Sequence, residues 1–153
     1  MRIFLDANIL FSAAKSDAAS RTLVDRLLAA GHECWMDAYV IDEARRNILA
    51  KQPNRVADVE TLVARLRVAT EIPDPTAVAL PDDFPEKDRP VLAAAVMLGC
   101  QVLVTGDRSH FGPLFGRLVA NVTIHSPRSL FELLFEARPP QAGDVSPLHP
   151  PAD

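Results

Sequence analysis

The chain has 153 residues, of which 48% are hydrophobic, and a formal net charge of −4. This length and composition predict a single globular domain with a full hydrophobic core. The acidic net charge excludes nucleic-acid binding driven by bulk charge, although a local basic patch can still bind phosphates.

Strand-like and helix-like segments alternate along the first half of the chain. Residues 3–5 are adjacent apolar β-formers, which favours a strand buried on both faces of a parallel sheet. A helical turn over 8–14, a helix over 18–30 ended by Gly31 and a strand over 33–36 come next. Asp37 is suited to cap a helix over 38–51, in which Val40, Ala44 and Ile48 form an apolar stripe.

The second half continues the same alternation. It predicts a helix over 54–68, a short strand over 69–72, a Pro-rich loop over 72–85 and a helix over 89–98 that begins after Asp88. A strand over 101–104, an irregular or weakly helical stretch over 109–118, a strand over 122–124 and a last helix from 126 to about 136 follow. The pattern predicts an α/β fold, with a five-stranded, mainly parallel sheet flanked by helices on both faces. The Pro-rich segment 137–153 is predicted to be a disordered tail.

Acidic side chains stand where several of these elements begin or end. Asp6 and Asp107 each follow a strand, Asp88 precedes the helix that leads into the fourth strand, and Glu43 borders the apolar stripe of the helix over 38–51. The carboxyl ends of parallel strands meet at one edge of a sheet, so the four can share a crevice there. Two charges ~4 Å apart repel by about 4 kcal/mol at an effective dielectric near 20, so such a cluster favours a bound Mg²⁺ or Mn²⁺.

Simpler interpretations of the same residues stay open. In these interpretations Asp6 and Asp88 are helix N-caps without a further role, and Glu43 is a surface residue of its helix. His110 can approach a phosphate near Asp107, but packing beside its neighbour in the chain is favoured. A haloacid-dehalogenase-like phosphatase or a receiver domain fits less well, since the former needs a second aspartate at the position of Asn8 and the latter a lysine after the last strand.

Four motifs taken together resemble those of the PIN-domain family, in the family's order. They are Asp6-Ala7-Asn8, Glu43 within VIDEARRNIL, Asp88 within EKDRPVLAAA, and Thr105-Gly106-Asp107 within LVTGDRSHF. The resemblance implies a PIN-like nuclease domain over residues 1–136 that hydrolyses RNA with Mg²⁺ or Mn²⁺. It implies catalysis and metal binding by Asp6, Glu43, Asp88 and Asp107, with Asn8 and Thr105 as supporting polar residues.

This sequence departs from the family's pattern at one place. Many members carry a further acid just after the fourth motif, where Arg108, Ser109 and His110 stand here. The departure leaves the number of metal ions open.

The resemblance also bears on partners. Many small bacterial PIN proteins are VapC-type toxins held by an antitoxin, which implies an RNA substrate, an antitoxin partner and the possibility of a homodimer. The alternatives are an RNA-processing PIN nuclease outside a toxin system and a non-catalytic module that binds RNA or protein. Arg45, Arg46 and Arg108 flank the acidic motifs and are the candidate RNA contacts, although a solvated helix face explains the first two equally well.

The cysteines and the absence of targeting patterns bear on where in the cell the protein is located. Cys34 and Cys100 lie in or beside apolar segments and are predicted to be buried thiols, and no cysteine or histidine spacing indicates a zinc site. The sequence has no signal-peptide pattern and no membrane-length apolar run. We therefore predict a cytoplasmic protein without a membrane segment.

Overall fold

A computed structural model describes residues 1–15, 18–71 and 74–136. The predicted tail, 137–153, lies outside the described residues. In chain order the elements are β1 (Arg2–Leu5), α1 (Ala7–Ala14), α2 (Ala18–Ala29), β2 (Glu33–Asp37), α3 (Ala38–Lys51), α4 (Val56–Val63), β3 (Arg67–Ala69), α5 (Arg89–Met97), β4 (Val102–Val104), α6 (Arg108–Phe111), β5 (Leu118–Val119), β6 (Val122–His125) and α7 (Pro127–Phe131).

The strands form one sheet in the order β3-β2-β1-β4-β6-β5. Every pairing is parallel except that of β5 with β6. The predicted mainly parallel sheet flanked by helices is confirmed, and β5 adds a sixth strand to the five predicted. β5 and β6 are joined by Ala120 and Asn121, whose φ values of 49° and 67° suit the two-residue turn of a β-hairpin.

The sheet is covered on both faces. Ile3, Phe4 and Leu5 follow one another in β1 and are 0%, 0% and 1% exposed. Because successive side chains of a strand point to opposite faces, this run requires apolar packing above and below the sheet. Leu103 of β4 and Ile124 of β6 are fully buried in the same core.

The predicted bounds of α3 and its predicted N-cap, Asp37, are both confirmed. The side chain of Asp37 accepts a hydrogen bond from the backbone N–H of Val40 at 3.0 Å, and the predicted stripe on α3 is fully buried. The predicted helix over 54–68 is wrong in its length, because a turn of 3₁₀ helix precedes α4 and the chain turns after Val63. Backbone bonds from Arg65 to Leu62 and from Leu66 to Val63 close that turn, and β3 then begins at Arg67 rather than at 69.

Two further predictions concern the cysteines and the membrane. Cys34 and Cys100 are both buried free thiols, as expected. Among the helices in the described ranges, none has the length and apolar character needed to span a bilayer.

Candidate active site

The register between β1 and β4 brings two acidic motifs together. Leu5 pairs with Val104, and the backbone N–H of Asp6 donates to the carbonyl of Val104 at 3.0 Å. Asp6 and Thr105 therefore leave the sheet side by side, with Asp107 two residues further on. This is the switch point at which parallel α/β sheets open a crevice.

Asp6 combines the role of helix cap with a place in this crevice. One carboxylate oxygen, Oδ1, accepts from the N–H of Ala7 at 2.7 Å at the start of α1. The other, Oδ2, accepts from the Thr105 hydroxyl at 2.8 Å and from Nδ2 of Asn8 at 3.3 Å. Burial raises the pKa of Asp6 from 3.8 to about 6, and the nearby charges of Glu43 and Asp88 add to the rise against the hydrogen bonds.

Asn8 and Thr105 tie the ends of β1 and β4 to each other. The fully buried Thr105 hydroxyl accepts from Nδ2 of Asn8 at 3.2 Å and from the N–H of Asp107 at 3.1 Å. Oδ1 of Asn8 accepts from the N–H of Gly106 at 2.8 Å. A Cβ at position 106 would lie 3.3 Å from that same oxygen, so glycine permits the close approach.

Asp107 caps the short helix α6. Its Oδ1 accepts from the N–H groups of Ser109 and His110 at 3.0 and 3.1 Å. Its Oδ2 lies 2.9 Å from Nδ1 of His110. Burial alone would raise the pKa of Asp107, but the hydrogen bonds and charge of His110, together with the Ser109 amide, outweigh it and hold the pKa below its ordinary value.

Asp88 has the least satisfied carboxylate of the site. It is 6% exposed, and its side chain makes no capping bond to α5, so the interpretation as a simple N-cap is wrong. Its Oδ2 is buried without a hydrogen-bond partner and lies 3.3 Å from Nδ1 of His110. Burial raises the pKa of Asp88; the charge of His110 opposes the rise and that of Asp107 adds to it.

Glu43 completes the acidic lining from the opposite wall. It is partly buried on α3 and lines a cleft of about 110 Å³ together with Asp6, Asp88 and Asp107. The structure thus brings all four predicted acids to one cleft. Tyr39 and Asn47, one turn before and after Glu43 on the same helix face, also line it, as does Lys87. These three were not predicted from the sequence, although the spacing of four residues around Glu43 is a usable signal for two of them.

His110 does not pack beside Phe111 as favoured from the sequence. Phe111 is fully buried, whereas the His110 side chain is 38% exposed and its ring faces Asp88 and Asp107. Consecutive side chains of a helix point in directions about 100° apart, so the aromatic ring enters the core while the imidazole turns toward the two carboxylates.

The three candidate RNA-contact arginines have different surroundings. Arg45 forms a two-pronged ion pair with Glu60 of α4, at 2.7 and 2.9 Å, and Arg46 is exposed. Arg108 is exposed and lines a groove of about 740 Å³ that adjoins the acidic cleft at Asn8. Of the three, Arg108 alone lines either concavity.

The donor set fits a divalent cation. Oxygen atoms of Asp88 and Asp107 and a nitrogen of His110 lie within 4.8 Å of one another, and Asp6 and Glu43 line the same cleft. An unpartnered buried carboxylate oxygen is costly unless a positive charge compensates it. Oxygen-rich acidic sites are those that Mg²⁺ and Mn²⁺ prefer.

Fold and site together define an α/β domain with an acidic cleft at the switch point of a mainly parallel sheet. A family model described as "PIN domain" matches residues 2–109. The chain therefore belongs to the PIN domain family, a family of nucleases. No curated relative matches the chain.

Solved structures with the same fold include two VapBC proteins. VapBC2 from Rickettsia felis, solved bound to a DNA fragment from their promoter, is 14% identical, with a TM-score of 0.58 over 82% of this chain and 98% of that one. VapBC-1 from nontypeable Haemophilus influenzae is also 14% identical, with a TM-score of 0.56 over 84% of this chain and 99% of that one. At this identity the likeness establishes the fold.

Proposed function

We propose that the protein is a Mg²⁺- or Mn²⁺-dependent endoribonuclease that hydrolyses RNA phosphodiester bonds. The observation that carries the proposal is the gathering of Asp6, Glu43, Asp88 and Asp107 around one small cleft in which Oδ2 of Asp88 has no hydrogen-bond partner. A buried carboxylate oxygen without a hydrogen-bond partner is unfavourable in a cluster of acids that is only structural. At a cation site the bound ion compensates it.

Each side chain has a role in the proposed reaction. Asp6 and Asp107 are the main metal ligands, Asp88 is a second ligand or orients the attacking water, and Glu43 is a ligand or the general base. A divalent cation held by these residues supplies charge stabilisation at the phosphate and lowers the pKa of water. Asn8 and Thr105 hold the carboxylate of Asp6 in place through hydrogen bonds of 3.3 and 2.8 Å.

The RNA strand is proposed to follow the larger groove into the acidic cleft. The groove and the cleft meet at Asn8, and Arg108 stands on the groove wall beside Gly106. Arg108 is suited to contact a phosphate next to the scissile one. Arg45 is committed to Glu60, so we assign it a structural role on the α3–α4 surface.

We further propose that the nuclease is the toxin of a toxin–antitoxin pair. The resemblance to VapC-type toxins and the match to structures named VapBC support this proposal. It predicts a neighbouring gene for a small antitoxin and growth arrest when the chain is expressed without it. RNA processing outside a toxin system predicts neither. A homodimer and a cytoplasmic location stay predictions.

The deciding experiment is cleavage of a mixed pool of structured RNA by the purified chain, with Mg²⁺, with Mn²⁺ and with a chelator. Asp6→Asn is the test variant, and Asp42→Asn is the matched control, because Asp42 is an exposed acid beside Glu43 that does not line the cleft. We expect metal-dependent cutting by the wild type and the control and none by Asp6→Asn. RNA binding without cutting by the folded wild type supports the non-catalytic module instead.

A further inference from the structure

His110 occupies the position at which a third ligand of a cation would be expected. Its Nδ1 lies 2.9 Å from Oδ2 of Asp107 and 3.3 Å from Oδ2 of Asp88. Neighbouring ligand atoms in an octahedral shell of radius about 2.1 Å are separated by about 3.0 Å. Both distances are close to that separation, and the candidate ligand atoms of the three side chains all lie within 4.8 Å of one another, which is compatible with ligands around one ion.

The buried oxygen of Asp88 is an independent sign of a ligand at this point. The Asp88 side chain is 8% exposed, and its Oδ2 is buried without a hydrogen-bond partner. His110 lies nearer to Asp107 than to Asp88, and its 3.3 Å contact with Oδ2 of Asp88 is not a hydrogen bond. A cation between the three side chains would coordinate the oxygen that has no hydrogen-bond partner.

The backbone holds His110 in this position. Its N–H donates to Oδ1 of Asp107 at 3.1 Å, so imidazole and carboxylate belong to the same turn of α6. The side chain is 38% exposed, which gives a cation access from solvent. An imidazole nitrogen is a softer ligand than a carboxylate oxygen; Mg²⁺ prefers oxygen alone, whereas later divalent metals bind mixed nitrogen and oxygen sets more tightly.

We propose that His110 is a direct nitrogen ligand of the divalent cation, beside Asp88 and Asp107, and that it makes the site prefer Mn²⁺ to Mg²⁺. This inference rests on the proposed function, since it requires that the acidic cleft bind a cation. It assigns the residue that stands near the position where many family members carry a further acid.

The first test detects the bond between nitrogen and metal directly. The full chain, labelled with ¹⁵N-histidine and loaded with Mn²⁺, is studied by pulsed electron paramagnetic resonance. We expect a ¹⁵N coupling from one directly bound imidazole that disappears in His110→Ala. The matched control is His32→Ala, because His32 contacts the N-terminal amine at 3.1 Å and does not line the cleft; it should retain the coupling.

The second test measures metal preference by calorimetry on the same proteins. His110→Ala should weaken Mn²⁺ binding by at least about 10-fold and Mg²⁺ binding by clearly less. His110→Asp restores an oxygen ligand and should shift the preference toward Mg²⁺. Equal losses for both cations in His110→Ala, or no nitrogen coupling in the Mn²⁺-loaded wild type, overturn the inference.

RNA cleavage measured in parallel separates this inference from the proposed function. Metal-dependent cutting without nitrogen coupling overturns the role of His110 and leaves the nuclease standing. Nitrogen coupling without any cutting supports the ligand and counts against the nuclease. A folded chain that binds neither cation overturns both.

Discussion

Replacing Asp6 by asparagine is expected to remove the free-energy cost of a buried negative charge while weakening cation binding. Asp6 is 7% exposed, and burial raises its pKa from 3.8 to about 6. At neutral pH, keeping this carboxylate ionised in the folded protein costs about 3 kcal/mol of unfolding free energy. The neutral amide of asparagine removes that cost.

The sign of the effect depends on pH. Between the two pKa values the folded protein binds more protons at Asp6 than the unfolded chain does, so the free energy of unfolding falls as pH rises from about 4 to about 6. The substitution also has a pH-independent cost of about 1–2 kcal/mol, because the new NH₂ group faces the Nδ2 of Asn8 and a Thr105 hydroxyl that already accepts two hydrogen bonds.

Urea unfolding of wild type and Asp6→Asn in chelator checks this balance. From about pH 4 to about pH 8, the stability of the variant relative to wild type should increase by about 2–3 kcal/mol. Added Mg²⁺ should stabilise the wild type more than the variant. A relative stability that does not change with pH would refute the effect assigned to burial, and equal stabilisation of both proteins by Mg²⁺ would refute Asp6 as a ligand.

Three further substitutions test the surroundings of the site. Thr105→Val removes the hydroxyl that donates to Asp6 and should weaken Mg²⁺ binding about 10–100-fold by calorimetry; unchanged affinity would contradict the supporting role. Arg108→Ala should weaken RNA binding in a filter assay and reduce the slope of log affinity against log salt concentration by about one. Arg45→Ala should leave RNA binding unchanged because that side chain is paired with Glu60. Asp37→Ala removes the cap of α3 and should lower the free energy of unfolding by about 1 kcal/mol in urea, with no loss of cation binding.

Much of the scaffold could be predicted because its signals are local. The apolar run of β1, the stripe on α3 and the cap at Asp37 each follow from a few neighbouring residues. The meeting of Asp6 with Asp107 followed from one topological rule, that the carboxyl ends of parallel strands share an edge, and from the pairing of β1 with β4.

What the sequence did not predict depends on contacts between distant segments or on single rotamers. β5 has only two residues, too few to show a period, and its turn uses Ala120 and Asn121 rather than the usual Asn-Gly pair. The end of α4 is set by the need for β3 to reach β2 at Trp35. The direction of the His110 ring is fixed by the two carboxylates it meets, one of which is distant in sequence.

The central claim, hydrolysis of RNA by water at a cation-dependent acidic site, is tested most directly by end-group analysis of RNA cut in ¹⁸O-labelled water. We expect fragments with 5′-phosphate and 3′-hydroxyl ends, ¹⁸O in the new phosphate, and no cutting in chelator. Unlabelled fragments that end in 2′,3′-cyclic phosphate, or cutting that persists in chelator, would contradict it.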